Sequence, residues 1–442
     1  MKFVLLALAV VTMMPCVAVL HGQTAMPKAG PTGFEMLGPR GAVVWAEGAG
    51  TFQLWRVELG AVPKWKTLSA PALLQAFKAK SQDDEAEVTV TLQDGVLRLF
   101  WVEGRDCVER SEGYQCPFEV DQAESQDGGS SWDGFGSKFE GNMSMSSVWQ
   151  VVMTDGLHGW MLLTSDPGAG QLPEELATTR DGGRSWKKAD AKGMPIGRNG
   201  PQLLIPRSPS EAWFAAIHYD EDQNPVLMSH SLDGGRTWHE DASFEREFSW
   251  CKNCTAVTLS ATDNRFHASH ACFEVALLAS DAADKVTGAG QAVTGASQAR
   301  YCLAPGARSW LAPVRLQVPK APSAKMALQH VFLLPLFASR TLGFTVVDTD
   351  RPESSGHPES HPNGQGGGNS RSAVYQTNDG GRSWHTAPAP LQSGGNADAT
   401  VSVAQVEGSG RDVLLLLQTA GEDTSYKLLY SADYGSSWVS LL

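Results

Sequence analysis

The chain has 442 residues, a formal net charge of −13, and 45 glycines, 24 prolines and 14 tryptophans. The negative net charge disfavours binding to nucleic acid or to an acidic membrane surface. Tryptophan is about twice as frequent as in average proteins, and the many glycines and prolines favour a turn-rich, all-β, secreted protein.

The N-terminus has the features of a secretory signal. Lys2 supplies a positive charge, and the apolar run Phe3–Met14 follows it. The run is short for a membrane span, and no other long apolar run occurs. Cleavage after Ala18 or Ala25 fits the pattern. We therefore predict that residues 1–25 are a signal peptide and leader, and that the protein is periplasmic or extracellular.

Short apolar runs that contain an aromatic residue recur along the chain, each bounded by turn-forming residues. This pattern is typical of β-strands. The runs are GAVVWAE at Trp45, GVLRLFWVE at Trp101, HGWMLL at Trp160, EAWFAAI at Trp213, LGFTVV at Phe344 and DVLLLLQ near the C-terminus. The segment Ala70–Gln82 is the one fair candidate for an amphipathic helix.

An octamer of the form Ser/Thr-x-Asp-x-Gly-x-Ser/Thr-Trp occurs five times, so the chain is internally repetitive. The copies are Ser125–Trp132, Thr179–Trp186, Ser231–Trp238, Thr377–Trp384 and Ser431–Trp438. We expect the aspartate to accept hydrogen bonds from backbone N–H groups of a tight turn, a glycine to adopt positive φ, and the tryptophan to bury its indole. The residues with this predicted structural role are Asp127, Gly129, Trp132, Asp181, Gly183, Trp186, Asp233, Gly235, Trp238, Asp379, Gly381, Trp384, Asp433, Gly435 and Trp438.

These octamers match the Asp-box, or BNR repeat, so the chain resembles the sialidase-like superfamily of Asp-box β-propellers. The order of a Gly-Trp strand and then a box is most similar to the repeat of the photosystem II assembly factor family. The resemblance implies a β-propeller of four-stranded blades, with each box on the turn between the third and fourth strands. It places residues 28–442 in a single propeller domain.

The spacing of the octamers predicts seven blades. Adjacent copies are evenly spaced except between Trp238 and Trp384, where the interval fits two blades. The segment LAPGARSW, ending at Trp310, is interpreted as a decayed copy in which proline replaces the aspartate. A first blade is predicted to end near Trp65; without a complete first blade the count is six. The segment Val439–Leu442 is predicted to complete the last blade, so we expect the ring to close within a monomer.

The six cysteines outside the signal segment favour up to three disulfides in an exported chain. They are Cys107, Cys116, Cys251, Cys254, Cys272 and Cys302. Cys107 and Cys116 are the favoured pair, and the pairing of the other four stays open. The Trp-Cys-x-x-Cys sequence at Cys251 has no surrounding βαβ pattern, which disfavours a thioredoxin-type redox site. Zinc bound by four cysteines is the less favoured alternative, as is lipid attachment at Cys16.

The variable segments fall between an aromatic strand and the next octamer. They are Glu103–Glu124, Ser165–Leu176, Tyr219–Pro225 and Asp348–Ser372. In the implied fold they lie on the face opposite the boxes, where a rigid scaffold can present binding loops. The stretch at about 351–371 is of low complexity and is predicted to be disordered. The acidic stretches Ser81–Glu87 and Tyr219–Asn224 are interpreted as solvated loops in preference to calcium sites.

No catalytic residue can be assigned from the sequence. A sialidase needs three arginines, a Tyr–Glu pair and an acid/base aspartate. The family also carries an Arg-Ile-Pro motif, and the nearest sequence here, Gly38-Pro39-Arg40-Gly41, does not match it. The hydrolase, metalloprotease and phosphate-loop motifs do not occur either. We therefore predict an exported, non-catalytic propeller that binds a protein or a glycan without a metal or cofactor. A divergent sialidase-like glycoside hydrolase is the alternative.

Overall fold

Seven four-stranded antiparallel sheets are arranged as a β-propeller. The computed structural model describes residues 30–48, 50–60, 62–80, 88–104, 108–110, 113–115, 118–137, 147–164, 174–194, 202–217, 226–241, 244, 254–261, 272–279, 297–303, 310–317, 330–332, 335–349, 371–391, 400–420 and 424–441. The blades follow one another in chain order.

The first three blades occupy the N-terminal part of the described chain. Blade 1 consists of β1 (Gly33–Gly38), β2 (Gly41–Gly48), β3 (Thr51–Glu58) and β4 (Lys64–Leu68), followed by helix α1 (Ala72–Lys80). Blade 2 consists of β5 (Thr89–Gln93), β6 (Val96–Gly104), an inserted hairpin of β7 (Val108–Arg110) and β8 (Gly113–Gln115), then β9 (Phe118–Ser125) and β10 (Asp133–Ser137). Blade 3 consists of β11 (Ser147–Met153), β12 (Gly159–Thr164), β13 (Glu174–Thr179) and β14 (Lys187–Lys188).

The remaining four blades continue in the same way. Blade 4 consists of β15 (Gln202–Pro206), β16 (Ala212–Ile217), β17 (Val226–Ser231) and β18 (His239–Glu240). Blade 5 consists of β19 (Cys254–Ala261), β20 (Cys272–Ala279), β21 (Ser297–Cys302) and β22 (Val314–Leu316). In blade 6 the first strand has two pieces, β23 (His330–Phe332) and β24 (Leu336–Phe337), which both pair with β25 (Gly343–Thr349), followed by β26 (Arg371–Thr377) and β27 (His385–Thr386). A short 3-10 helix (Ala389–Leu391) then leads to blade 7, with β28 (Thr400–Ser409), β29 (Asp412–Ala420), β30 (Ser425–Ser431) and β31 (Val439–Ser440).

The predicted seven-blade count is confirmed. The aromatic runs form second strands, as Trp45 in β2 and Trp101 in β6 illustrate. Trp65 lies in the fourth strand of blade 1, and Trp310 lies between the third and fourth strands of blade 5. The predicted helix is also present, as α1, and no described helix has the length and apolar character needed to cross a membrane.

The second strands are apolar on both faces because every sheet is covered by two neighbours. In β12, Trp160 and Leu162 belong to the core between blades 3 and 4. The alternate residues, Met161 and Leu163, belong to the core between blades 2 and 3. This arrangement explains why these strands are continuous apolar runs and lack the alternation of a half-exposed sheet.

Ring closure joins blade 7 to blade 1 through side chains, without exchange of a strand between them. The apolar core of this seam combines Phe34 and Val44 of blade 1 with Leu414 and Leu441 of blade 7. At the channel, the Gln405 amide accepts a hydrogen bond from the Phe34 backbone N–H (3.2 Å) and donates one to the Phe34 carbonyl (2.7 Å). The carboxylate of Glu407 accepts a third bond, from the Met36 N–H, at 3.0 Å.

One disulfide lies in blade 5, the blade whose octamer has decayed. Cys272 and Cys302 face each other on adjacent strands, with an S–S distance of 2.09 Å. It therefore joins the second and third strands beside the turn that lacks an octamer aspartate. Cys254 begins β19, whereas Cys107, Cys116 and Cys251 lie outside the described residues, so the predicted Cys107–Cys116 pair stays a prediction.

Replacing both cysteines of this disulfide by serine tests its contribution to stability. The bond closes a loop with a sequence separation of 30. Its loss is expected to lower the free energy of unfolding by about 3–4 kcal/mol, because the unfolded chain regains loop entropy. Chemical denaturation of the double variant and the parent measures the change. Reducing the parent with dithiothreitol should reproduce it, and an unchanged unfolding midpoint in both cases would contradict this role.

Deleting Val439–Leu442 tests the seam. The deletion removes the outer strand of blade 7 and the Leu441 side chain, which is 8% exposed. We expect a lower melting temperature and aggregation through the exposed sheet edge. The milder variant Leu441→Ala should lower the free energy of unfolding by about 2–3 kcal/mol. Leu232→Ala is its matched control, because Leu232 is 51% exposed. A truncated protein that kept its melting temperature and solubility would contradict this account of closure.

Candidate functional site

The antiparallel order of the strands gives the ring two chemically different faces. Turns between first and second strands and between third and fourth strands lie on one face, and the other connections lie on the opposite face. All five octamers occupy turns between third and fourth strands. We call their side the octamer face and the opposite side the insertion face.

The octamers form the same hydrogen-bonded turn five times. In the copy at Asp233, the Ser231 hydroxyl donates to one carboxylate oxygen (3.0 Å) and accepts a hydrogen bond from the Gly235 N–H (3.0 Å). The Thr237 N–H donates to the same carboxylate oxygen (2.9 Å), and the Thr237 hydroxyl donates to the other (2.7 Å). Equivalent bonds surround the other four aspartates, at positions 127, 181, 379 and 433. Both oxygens of each carboxylate therefore have donors within their own turn.

The second glycine of each pair lets the turn approach the preceding blade. Gly183 has a φ of 92°, and a Cβ added there would lie 2.0 Å from the Gln122 side-chain oxygen. At Gly381, with a φ of 88°, the added atom would lie 2.3 Å from Leu316. Gln122 and Leu316 belong to the preceding blades, so each octamer packs its own blade against its neighbour.

The octamer tryptophans are buried unequally. Trp186, Trp238 and Trp438 lie in cores between blades, whereas Trp132 and Trp384 are half-buried. Both half-buried indoles pack against buried apolar clusters. At Trp132 the indole N–H donates to the Ser69 carbonyl at 2.9 Å, and this bond holds the ring at the edge of the blade.

Hydrogen bonds keep the octamer aspartates ionised. At Asp127, the backbone N–H and hydroxyl of Ser131 and the hydroxyl of Ser125 lower the pKa to about 2. Burial raises the pKa of Asp233, but donors from Thr237 and Ser231 outweigh it, and the pKa is lowered. At Asp181 and Asp379 burial also raises the pKa, but hydrogen bonds outweigh it and the pKa is lowered. At Asp433 the hydrogen bonds from Ser437 lower the pKa and outweigh the effect of burial.

Two buried arginines, which the sequence analysis did not single out, connect neighbouring blades. Arg98 lies 3.6 Å from Glu124 and donates to the Gly156 carbonyl of blade 3 at 3.1 Å. In blade 5, Arg300 lies 3.1 Å from Glu274 and donates to the Arg340 carbonyl of blade 6 at 2.8 Å. Burial lowers the pKa of Arg98, and the charge of Glu124 opposes that shift. For Arg98, the signal in the sequence is a single arginine within the apolar run Val96–Val102.

Arginines concentrate on the octamer face. Eight described arginines lie in its turns: Arg40, Arg180, Arg184, Arg207, Arg236, Arg340, Arg382 and Arg411. On the insertion face, the arginines within the described ranges are Arg110 in the β7–β8 hairpin and Arg371 at the start of β26. The structure thus does not bring three described arginines together there, and no group of three His, Cys, Asp or Glu side chains in the described ranges is arranged to hold a metal ion.

The four variable segments join second to third strands, as the sequence predicts. They connect β6 to β9, β12 to β13, β16 to β17 and β25 to β26, and the described strand ends that they join lie on the insertion face. Beside them, α1 places Lys78 in a buried ion pair with Glu47. Most of the variable residues, including 219–224 and the stretch at 351–370, lie outside the described residues. The acidic stretch at 81–87 lies outside them too.

The lowered aspartate pKa values predict a loss of stability in acid. An unfolded aspartate titrates near a pKa of about 3.9. Stabilisation by the octamers is therefore complete above that value and is lost as the pH falls through the folded values, which reach about 2 at Asp127. Asp233→Asn should lower the free energy of unfolding by about 1–2 kcal/mol at neutral pH, because it weakens several charge-assisted hydrogen bonds.

Thermal unfolding between roughly pH 7 and pH 2 measures this dependence. The Asp233→Asn variant should lose less stability on acidification than the parent. Asp190→Asn, at an exposed site just after the second octamer, is the matched control and should follow the parent curve. Superimposable pH profiles for the parent and Asp233→Asn would refute the role assigned to this carboxylate.

Comparisons with known proteins identify similar folds. Neither a protein-family model nor a curated protein matches the sequence. A solved structure of an ulvan lyase of polysaccharide lyase family PL25, bound to -[GlcA(1-4)Rha3S]-, aligns with a TM-score of 0.50 and 11% identity, over 91% of this chain and 92% of that chain. An α-L-arabinanase from Penicillium chrysogenum aligns with a TM-score of 0.38 and 12% identity, over 79% and 94% of the two chains. The sialidase of Trypanosoma rangeli has a TM-score of 0.32 and 9% identity, over 80% and 47%. The alignment with the ulvan lyase shows a shared fold.

Proposed function

We propose that this protein is an exported, non-catalytic propeller that binds a glycan through its insertion face. One observation carries the proposal: all four variable segments connect second to third strands and therefore emerge together on one face of a rigid ring. Loops that vary on a rigid scaffold are the usual location of binding residues. The octamers, which we interpret as Asp-boxes, serve instead to hold the blades together.

The compartment, the ligand class and the oligomeric state in this proposal each have a supporting observation. The Cys272–Cys302 disulfide agrees with an oxidising compartment and hence with export through the segment at residues 1–25. The choice of a glycan over a protein ligand is supported by the ulvan lyase, a protein of the same fold whose structure contains a bound saccharide. Because all seven blades come from one chain, we propose that the protein acts as a monomer.

A divergent sialidase-like glycoside hydrolase is the second candidate. It would require two carboxylates about 5–10 Å apart near the channel mouth on the insertion face. The octamer carboxylates lie on the opposite face, Glu124 and Glu274 are paired with buried arginines, and Glu407 is bonded to the backbone of β1. These positions favour the binding protein over the enzyme.

Replacing Tyr219–Pro225 by a short Asn-Gly turn tests the binding face. This connection joins β16 to β17, and with His218 retained it becomes a three-residue loop, a length compatible with a hairpin. We expect the variant to keep the parent melting temperature and to lose most binding on a glycan array. The Asp233→Asn variant is the control on the other face and should retain binding at neutral pH.

A fluorogenic glycoside screen on the purified protein separates the two candidates. The binding proposal predicts array binding without turnover of any glycoside. Turnover that disappears in the loop variant would support the hydrolase. A protein that neither binds a glycan nor cleaves one would contradict both candidates and leave a protein ligand as the one to pursue.

A further inference from the structure

Two positions beside the seam carry large side chains where the backbone favours glycine. Tyr434, in the last octamer, has a φ of 58°, whereas the equivalent glycines at 128, 182, 234 and 380 have φ values of 68°, 77°, 76° and 74°. Arg40 has a φ of 60° and follows Pro39 in the two-residue turn between β1 and β2. Glycine is preferred at both positions because a Cβ disfavours left-handed backbone. Strained residues of this kind are often found at functional sites.

The strained residues project into solvent together with a third side chain. Tyr434 is 53% exposed, and Arg40 and Arg411 are also exposed. The guanidinium carbon of Arg411 lies 5.9 Å from the centre of the Tyr434 ring, and the Tyr434 N–H donates to the Arg411 carbonyl at 3.0 Å. An aromatic ring and a guanidinium group are thus held side by side on the octamer face.

Buried residues of the seam support this surface. Tyr430 packs against blade 1 in the seam core, and its hydroxyl donates to Asp412, the residue after Arg411. Burial and Asp412 raise the pKa of Tyr430 to about 12.

The chemistry of these groups selects a class of ligand. An exposed tyrosine ring packs against the apolar face of a sugar, and guanidinium groups form paired, charge-assisted hydrogen bonds with carboxylate or sulfate. The neighbouring carboxylates are already engaged, since Asp412 accepts from Tyr430 and Asp433 accepts from Ser437 in its own turn. We propose that Tyr434 and Arg411 form a binding site for an acidic saccharide on the octamer face. The site is separate from the glycan site proposed for the insertion face.

Titration calorimetry with defined oligosaccharides tests this site. The probes are trigalacturonate, which carries carboxylates, a sulfated trisaccharide, and neutral maltotriose. Tyr434→Gly restores the residue that the other octamers have, so it should fold and melt at or above the parent temperature. Tyr434→Gly and Arg411→Ala should each weaken binding of an acidic probe by about tenfold, equivalent to roughly 1.4 kcal/mol.

The control Arg236→Ala removes an exposed arginine of another octamer on the same face and should change affinity by less than about twofold. Comparing the two acidic probes shows whether the site takes carboxylate or sulfate. The inference is overturned if neither acidic probe binds, if maltotriose binds equally well, or if Arg236→Ala weakens binding as much as Arg411→Ala. It is also overturned if the Tyr219–Pro225 replacement abolishes binding that Tyr434→Gly leaves intact; that outcome would support the insertion-face proposal alone. If the Tyr219–Pro225 replacement changes no binding, the insertion-face proposal is contradicted. The octamer-face site is then still supported.

Discussion

Each blade of this propeller has two apolar faces, and both must be covered by neighbouring blades. Strand β12 shows the consequence, since Trp160 and Met161 on its two sides enter different cores. A ring with one open position would leave two such faces in water, at a large cost from exposed apolar surface. The seam between blades 7 and 1 therefore supports the whole fold, and Gln405 and Glu407 reinforce it with hydrogen bonds to the backbone of β1.

Polar groups inside the ring serve this packing. Gln150 bonds both backbone groups of Leu204 in the next blade, as Gln405 does with Phe34 at the seam. Arg98 and Arg300 reach carbonyl groups of the following blade while paired with buried glutamates. The octamer aspartates accept hydrogen bonds from donors of their own turns. These described buried charges are thus committed to structure, and we propose that ligand recognition falls to the surfaces that depart from the repeat.

Those departures occur on both faces. On the insertion face they are the long connections between second and third strands, which carry the proposed glycan site. On the octamer face the departure is local: Tyr434 replaces a glycine, and Arg40 occupies another left-handed position across the seam. A substitution that works against backbone preference within an otherwise uniform turn is physically informative, because packing alone does not require it.

The sequence by itself determined the blade period, the turn chemistry and the location of the second strands, because these depend on local patterns of glycine, aspartate and aromatic residues. It also marked blade 5 as degenerate, with its octamer aspartate missing before Trp310. The tertiary structure decided the pairing of Cys272 with Cys302, the reach of Arg98 and Arg300 into neighbouring blades, and the bonds of Gln405 to Phe34 across the seam. These contacts join residues far apart in the chain, and ring closure, which no local pattern encodes, is what brings the first and last blades together.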